Sequence, residues 1–181
     1  MKILILGIGN VLFGDEGVGS HLSHYLKNNY EFISNEHTVD IVDGGTLAQR
    51  LIPVIVEYDL VIVMDCVNVK DGNIGDVYFF DYSHIPSYIT WQGSAHEVEM
   101  LQTLQMIEMY GDLPTTKIVG VIPYVIGEDS TFNMTDEVVK ASKIMTKIIL
   151  DELEKYGIKS VKKNNIPIEE IAKKSFLEGA I

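Results

Sequence analysis

Three stretches of the chain, residues 3–6, 60–64 and 118–122, are apolar at nearly every position. A strand reads this way when both of its faces are covered, because neither side-chain direction meets water. Residues 39–43 form a shorter strand candidate. Residues 76–82 mix Tyr and Phe with polar neighbours, as an edge strand does. Between these segments the apolar period becomes helical. Val18, Leu22, Tyr25 and Leu26 share one face of a helix starting near Glu16, and Leu47, Leu51, Val54 and Ile55 share a face of a second. Pro53 predicts a kink or early break there. Ser94-Ala95-His96-Glu97 has the S-x-x-E spacing of a capping box ahead of Met100, Leu101, Leu104 and Ile107. Val138, Ala141, Met145, Ile149 and Tyr156 predict a long helix over 135–156.

The resulting order, β-α-β-α-β-loop-β-α-β-α, predicts an α/β fold. It is a single three-layer α/β/α sandwich on a mostly parallel, twisted five-stranded sheet, with room for one antiparallel edge strand. Residues 1–156 make this domain. Residues 157–181 read as a basic linker and a short C-terminal helix over 167–177, or a partly disordered tail.

Composition narrows the function. The 181 residues fit one domain, and 26 acids against 14 bases give a net charge of −12. The excess is concentrated in residues 1–130, with 18 acids and five bases. Such a surface repels phosphate backbones, which excludes nucleic acid and suits a cation or a basic partner. The lone Cys66 excludes an intramolecular disulfide framework and a Cys-rich zinc site, and fits a reducing, cytoplasmic setting. No apolar run reaches the roughly 20 residues that span a membrane; 51–66 is interrupted by Glu57 and Asp59. The apolar opening to Phe13 reads as a strand, not a signal peptide. Nothing in the pattern demands a dimer, so a monomer is expected.

Two phosphate-binding motifs are approached and missed. Gly7-Ile8-Gly9 follows the first strand, but Leu12 stands where a dinucleotide fingerprint has its third glycine. Gly9-x4-Gly14 has P-loop spacing, yet Asp15-Glu16 follows it, placing negative charge where phosphates would sit. In a doubly wound sheet, ligands bind beyond the carboxyl ends of the strands. Glu16 follows the first strand, Asp65 ends the third, and His96 opens the helix after a long connection, so the three can share one crevice. Two carboxylates and an imidazole form a mixed ligand set for a borderline divalent metal with open positions. Each also has a plainer use: Glu16 as a helix-start acid, Asp65 as a loop cap, His96 as a polar first-turn residue. His21 and His24 lack zincin spacing and read as solvated helix residues, and His37 and His84 as surface residues. Cys66 reads as a small buried residue. No G-x-S-x-G elbow is present, which disfavours a serine hydrolase.

The run Gly7-Ile8-Gly9-Asn10-Val11-Leu12-Phe13-Gly14-Asp15-Glu16-Gly17-Val18-Gly19 resembles the N-terminal signature of the [NiFe]-hydrogenase maturation endopeptidases. Asp43-Gly44-Gly45-Thr46, the apolar strand ending at Asp65, and Ser94-Ala95-His96 match in order and approximate spacing. The resemblance covers about residues 1–155. It implies an α/β/α endopeptidase that removes the C-terminal peptide of a hydrogenase large-subunit precursor after nickel insertion. Glu16, Asp65 and His96 then match metal-contacting positions, and Asp43 a further functional acid. Nickel would be carried by the precursor, so the free enzyme need hold none. The competing readings are a metal-centre-sensing assembly factor that does not cut, and a metal-dependent hydrolase of small molecules.

Overall fold

The computed structural model describes the backbone of residues 1–90, 95–124 and 131–178, and the side chains of these except 90, 95–98, 176 and 178. Five strands form the central sheet: β1 (Lys2–Ile8), β3 (Thr38–Gly45), β4 (Leu60–Cys66), β6 (Val77–Asp81) and β8 (Thr115–Val121), ordered β3-β1-β4-β8-β6. The pairings in that series follow the expected pattern: β1 pairs in parallel with β3 and β4, and β4 with β8, while β6 pairs antiparallel with β8 at the edge. Every residue of β4 is buried, as its unbroken apolar run requires.

Both sheet faces are covered. Ile3, Ile5, Ile62 and Met64 pack under α1 (Val18–Asn29) and α4 (Asp136–Lys155). Leu4, Leu6, Val61 and Val63 face α3 (Ala95–Tyr110) through Met100, Leu104 and Ile107. Helix α4 begins where expected because the Thr135 hydroxyl accepts from Val138 N–H, with Asp136 and Glu137 in the positive first turn. Pro53 leaves the second predicted helix as a 3-10 turn, Ala48–Leu51, followed by a single α-turn, α2 (Ile52–Ile55). The Ser94 end of the proposed capping box lies outside the described residues. In the long connection, β5 (Asn68–Val69) and β7 (Ile89–Thr90) make a small antiparallel pair.

The linker expected after Gly157 is replaced by structure. Strand β2 (Tyr30–Ile33) pairs antiparallel with β9 (Lys159–Lys162), and α5 (Ile168–Glu178) lies where the terminal helix was predicted. Ile158, Ile168, Ile171 and Ala172 are buried. The Asn29 side chain secures the crossing by donating to the Ile166 carbonyl and accepting from the Ile166 N–H. Four-residue strands flanked by lysines and asparagines leave little apolar signal, since each shows the core only alternate residues. Among the described residues, no helix is long and apolar enough to cross a membrane.

Candidate active site

The site is built where α1 meets the ends of β1 and β4. A Cβ at Gly19 would stand 2.2 Å from the Ile8 carbonyl oxygen and 2.3 Å from that of Met64, and one at Gly7 would stand 2.2 Å from the Gly19 carbonyl oxygen. Only glycine lets the helix backbone lie this close to the sheet. That contact brings the 3-10 turn Gly14–Gly17, which carries Asp15 and Glu16, onto the carboxyl edge. The glycine motif is thus a packing device, and its phosphate-binding readings have no support in the carboxylates beside it.

Strand register places the acids. Asp43 on β3 and Met64 on β4 both stand opposite Gly7, and Asp65 is one residue further out. Because side chains alternate across a strand, Asp43 shares the face of Val39 and Ile41, under α1, while Asp65 shares that of Val61 and Val63, under α3. Asp65 is fully buried, and its Oδ1 accepts from the Cys66 N–H at 2.7 Å. Glu16 is half-buried, and burial raises its carboxyl above the usual range. His96 is the second residue of α3, the helix on the Asp65 face, and its side chain lies outside the described residues. Among the described residues, no three His, Cys, Asp or Glu side chains form a group that could hold a metal ion.

Asp43 is engaged from three sides. Its Oδ2 accepts from the Ser20 hydroxyl and from His24 Nε2, each at 2.7 Å, and its Oδ1 from the Gly45 N–H at 3.0 Å. Burial would raise this carboxyl, but the His24, Ser20 and Gly45 donors outweigh it and hold it below the usual carboxylate range. The solvated reading of His21 and His24 is therefore corrected. His24 pairs with Asp43, and His21 is fully buried with no hydrogen-bond partner on either ring nitrogen among the described residues. Burial lowers His21 to about 4; the Asp43 charge opposes this and His24 adds to it. Position on α1 decides all of this: Ser20 and His24 are one turn apart and straddle the end of β3. Cys66 is buried, as expected, and His84 exposed.

Sequence reasoning missed Asp15. It is fully buried and accepts from the Tyr124 N–H at 2.9 Å, the Thr135 N–H at 2.7 Å and the Thr135 hydroxyl at 2.9 Å. No local signal could have revealed partners more than a hundred residues away.

The chain matches the family model described as HycI, hydrogenase maturation protease, over residues 20–152. It belongs to the hydrogenase maturation protease family. This protease is 55% identical over 156 residues to Protein HydD of Wolinella succinogenes, covering 86% of this chain and 98% of that one. It is 31% identical over 124 residues to the hydrogenase 2 maturation protease of Escherichia coli, covering 68% and 74% of the two chains. Its fold is similar to that of the hydrogenase maturating endopeptidase HybD from E. coli, with a TM-score of 0.78, 26% identity, and 90% and 98% of the two chains covered. The protease is thus a peptide-bond hydrolase with the α/β architecture read from its sequence. The matched stretch contains Asp43, Asp65 and His96; Glu16 lies just ahead of it.

Proposed function

We propose that the protease removes the C-terminal peptide of a [NiFe]-hydrogenase large-subunit precursor once nickel is installed, and that the nickel ion carried by that substrate is what it reads. Membership of the maturation proteases carries the reading. The carboxyl edge supports it: Glu16 lies on the 3-10 turn that follows β1, Asp65 is the penultimate residue of the adjacent strand β4, and α3, bearing His96, packs on the Asp65 face. In this reading Glu16, Asp65 and His96 contact the substrate's nickel, and the peptide beyond it is held along the edge. Asp43, with its oxygens already engaged, contributes by keeping α1 in register with β3.

Positioning then supplies much of the rate, because the scissile carbonyl and a water molecule are held together instead of meeting by diffusion. The water oxygen bonds to the carbonyl carbon, the C–N bond breaks, and the water's protons are shared between the new carboxyl and the leaving amine. The negative surface, −12 overall, favours a cationic substrate centre. The reaction belongs in the cytoplasm, with the protease acting as a monomer.

Intact-mass analysis of the precursor, nickel-loaded and nickel-free, tests this with purified protease. Loss of a short C-terminal peptide from the loaded form alone is the expected result. Cleavage of both forms removes nickel as the signal. Binding of the loaded precursor without cleavage identifies a metal-sensing assembly factor instead.

A further inference from the structure

We propose that Asp15 is a positioning residue that sets the Glu16 turn relative to the end of β4, and so aligns the Glu16 carboxylate for the substrate's metal ion. This rests on the reading of Glu16 given above. The turn needs an external hold: it is four residues of 3-10 helix, begins at Gly14 with φ of 55°, and has no side-chain hydrogen bond at its N-cap. Asp15 supplies the hold from inside. Its Oδ1 accepts from the Thr135 N–H, and its Oδ2 from the Thr135 hydroxyl and the Tyr124 N–H. An ionised acceptor makes such bonds shorter and stronger than a neutral one does.

The donors come from two places that matter to the site. Tyr124 lies three residues beyond β8, whose Gly120 stands opposite Asp65. Thr135 is the N-cap of α4, and its hydroxyl oxygen also accepts from the Val138 N–H at 3.3 Å. One carboxylate therefore ties the Glu16 turn to the strand beside Asp65 and to the start of α4. The backbone around Glu16 is pinned as well. The Asp15 carbonyl accepts from the thiol of Cys66, the neighbour of Asp65, at 3.5 Å, and the Glu16 carbonyl from the Asn10 N–H at 3.0 Å. The Gly14 N–H donates to the Thr131 carbonyl at 2.7 Å, and the Thr131 N–H to the Leu12 carbonyl at 2.8 Å. Of these ties only the Asp15 carboxylate draws on a side chain of the turn itself, so it can be removed without altering the backbone bonds.

Steady-state cleavage of the nickel-loaded precursor tests the assignment in the full-length protease. Asp15→Asn keeps the size but turns an amide N–H toward the Tyr124 and Thr135 donors. It should lower kcat/KM by about 10- to 100-fold, the scale on which residues supporting a metal ligand act. KM should rise as part of that loss, whereas a smaller folded fraction lowers the apparent kcat and leaves KM alone. Thr135→Ser should stay within about twofold of the native enzyme, and Thr135→Val should follow Asp15→Asn, both by restoring or deleting one hydroxyl donor. If Asp15→Asn does not fold, the milder Thr135 pair decides. Native KM and kcat in both folded Asp15→Asn and Thr135→Val would overturn the assignment. Glu16→Gln in the same assay separates the two ideas: native cleavage by that variant defeats the reading of Glu16, whereas its failure beside a native Asp15→Asn defeats only the role of Asp15.

Discussion

The protease buries carboxylates at both ends of its sheet and satisfies them by different means. In the half of the sheet away from the site, Glu152 of α4 is 1% exposed and lies between Lys117 and Lys155, at 2.8 and 2.7 Å. Lys117, on β8, also approaches Asp81 of β6 at 3.6 Å and stands over the Phe79 ring. At the carboxyl edge, Asp15 is held by two backbone N–H groups and a hydroxyl, and Asp43 by a hydroxyl, an N–H and an imidazole. The first arrangement cancels charge and fastens α4 to the sheet. The second fixes Asp15 with dipoles, and Asp43 with dipoles and the His24 imidazole, at the edge where a cationic substrate centre would meet them. Burying an acid is thus compatible with either scaffold or site, and the kind of donor tells which.

Substitutions can break this comparison. The largest effect belongs to the edge: Glu16→Gln should cut kcat/KM by roughly 10³-fold, or about 4 kcal/mol of transition-state stabilisation, with little change in melting temperature. Precursor cleavage beside a thermal melt checks it; a stability loss accounting for the rate would erase the distinction. Next, Lys117→Met should destabilise the fold by about 3 kcal/mol, because the buried Glu152 loses its inner cation, while the folded variant cleaves normally. Urea unfolding measures this. Both Glu152 and Asp43 are held below their usual range, so their contributions are present at neutral pH and are lost only as acid protonates the folded carboxylates.

His21 supplies a test of similar or slightly smaller size. In the unfolded chain it takes a proton near 6.5, but in the fold only at about 4. Between those values the unfolded state binds more protons, so stability falls as pH is lowered from about 6.5 to about 4, by about 3 kcal/mol in total. His21→Leu should remove that component of the pH dependence; an unchanged slope in denaturant melts would show that the imidazole is not kept neutral by its surroundings. The smallest effect is expected from Lys155→Ala. This lysine side chain is 65% exposed, so its loss should cost under about 1 kcal/mol although it touches the same carboxylate as Lys117.

The scaffold was legible to different depths. Strands buried on both faces write unbroken apolar runs, so β1, β4 and β8 could be read directly, and the apolar period from Val138 to Tyr156 marked the long helix α4. The β2–β9 pair could not, because its partners are only four residues each and separated by most of the domain. For the candidate site, the sequence offered Glu16, Asp43, Asp65 and His96 through their place after strands and their likeness to a family. It misjudged His21 and His24, because a helical period shows which residues share a face but not what lies opposite that face.

What the chain determined by itself was therefore periodic: the alternating architecture, the glycines that let α1 lie on the strand ends, and the delivery of acids to one edge. Tertiary structure alone decided which acids are held by which donors. Asp15 meets Tyr124 and Thr135, Asp43 meets Ser20 and His24, and Glu152 meets Lys117, only because packing brings distant segments of the chain within hydrogen-bond reach. Hydrophobic burial is non-directional and leaves its mark in composition and period. Hydrogen bonds act over a single contact distance, so their partners exist only once the fold has placed them.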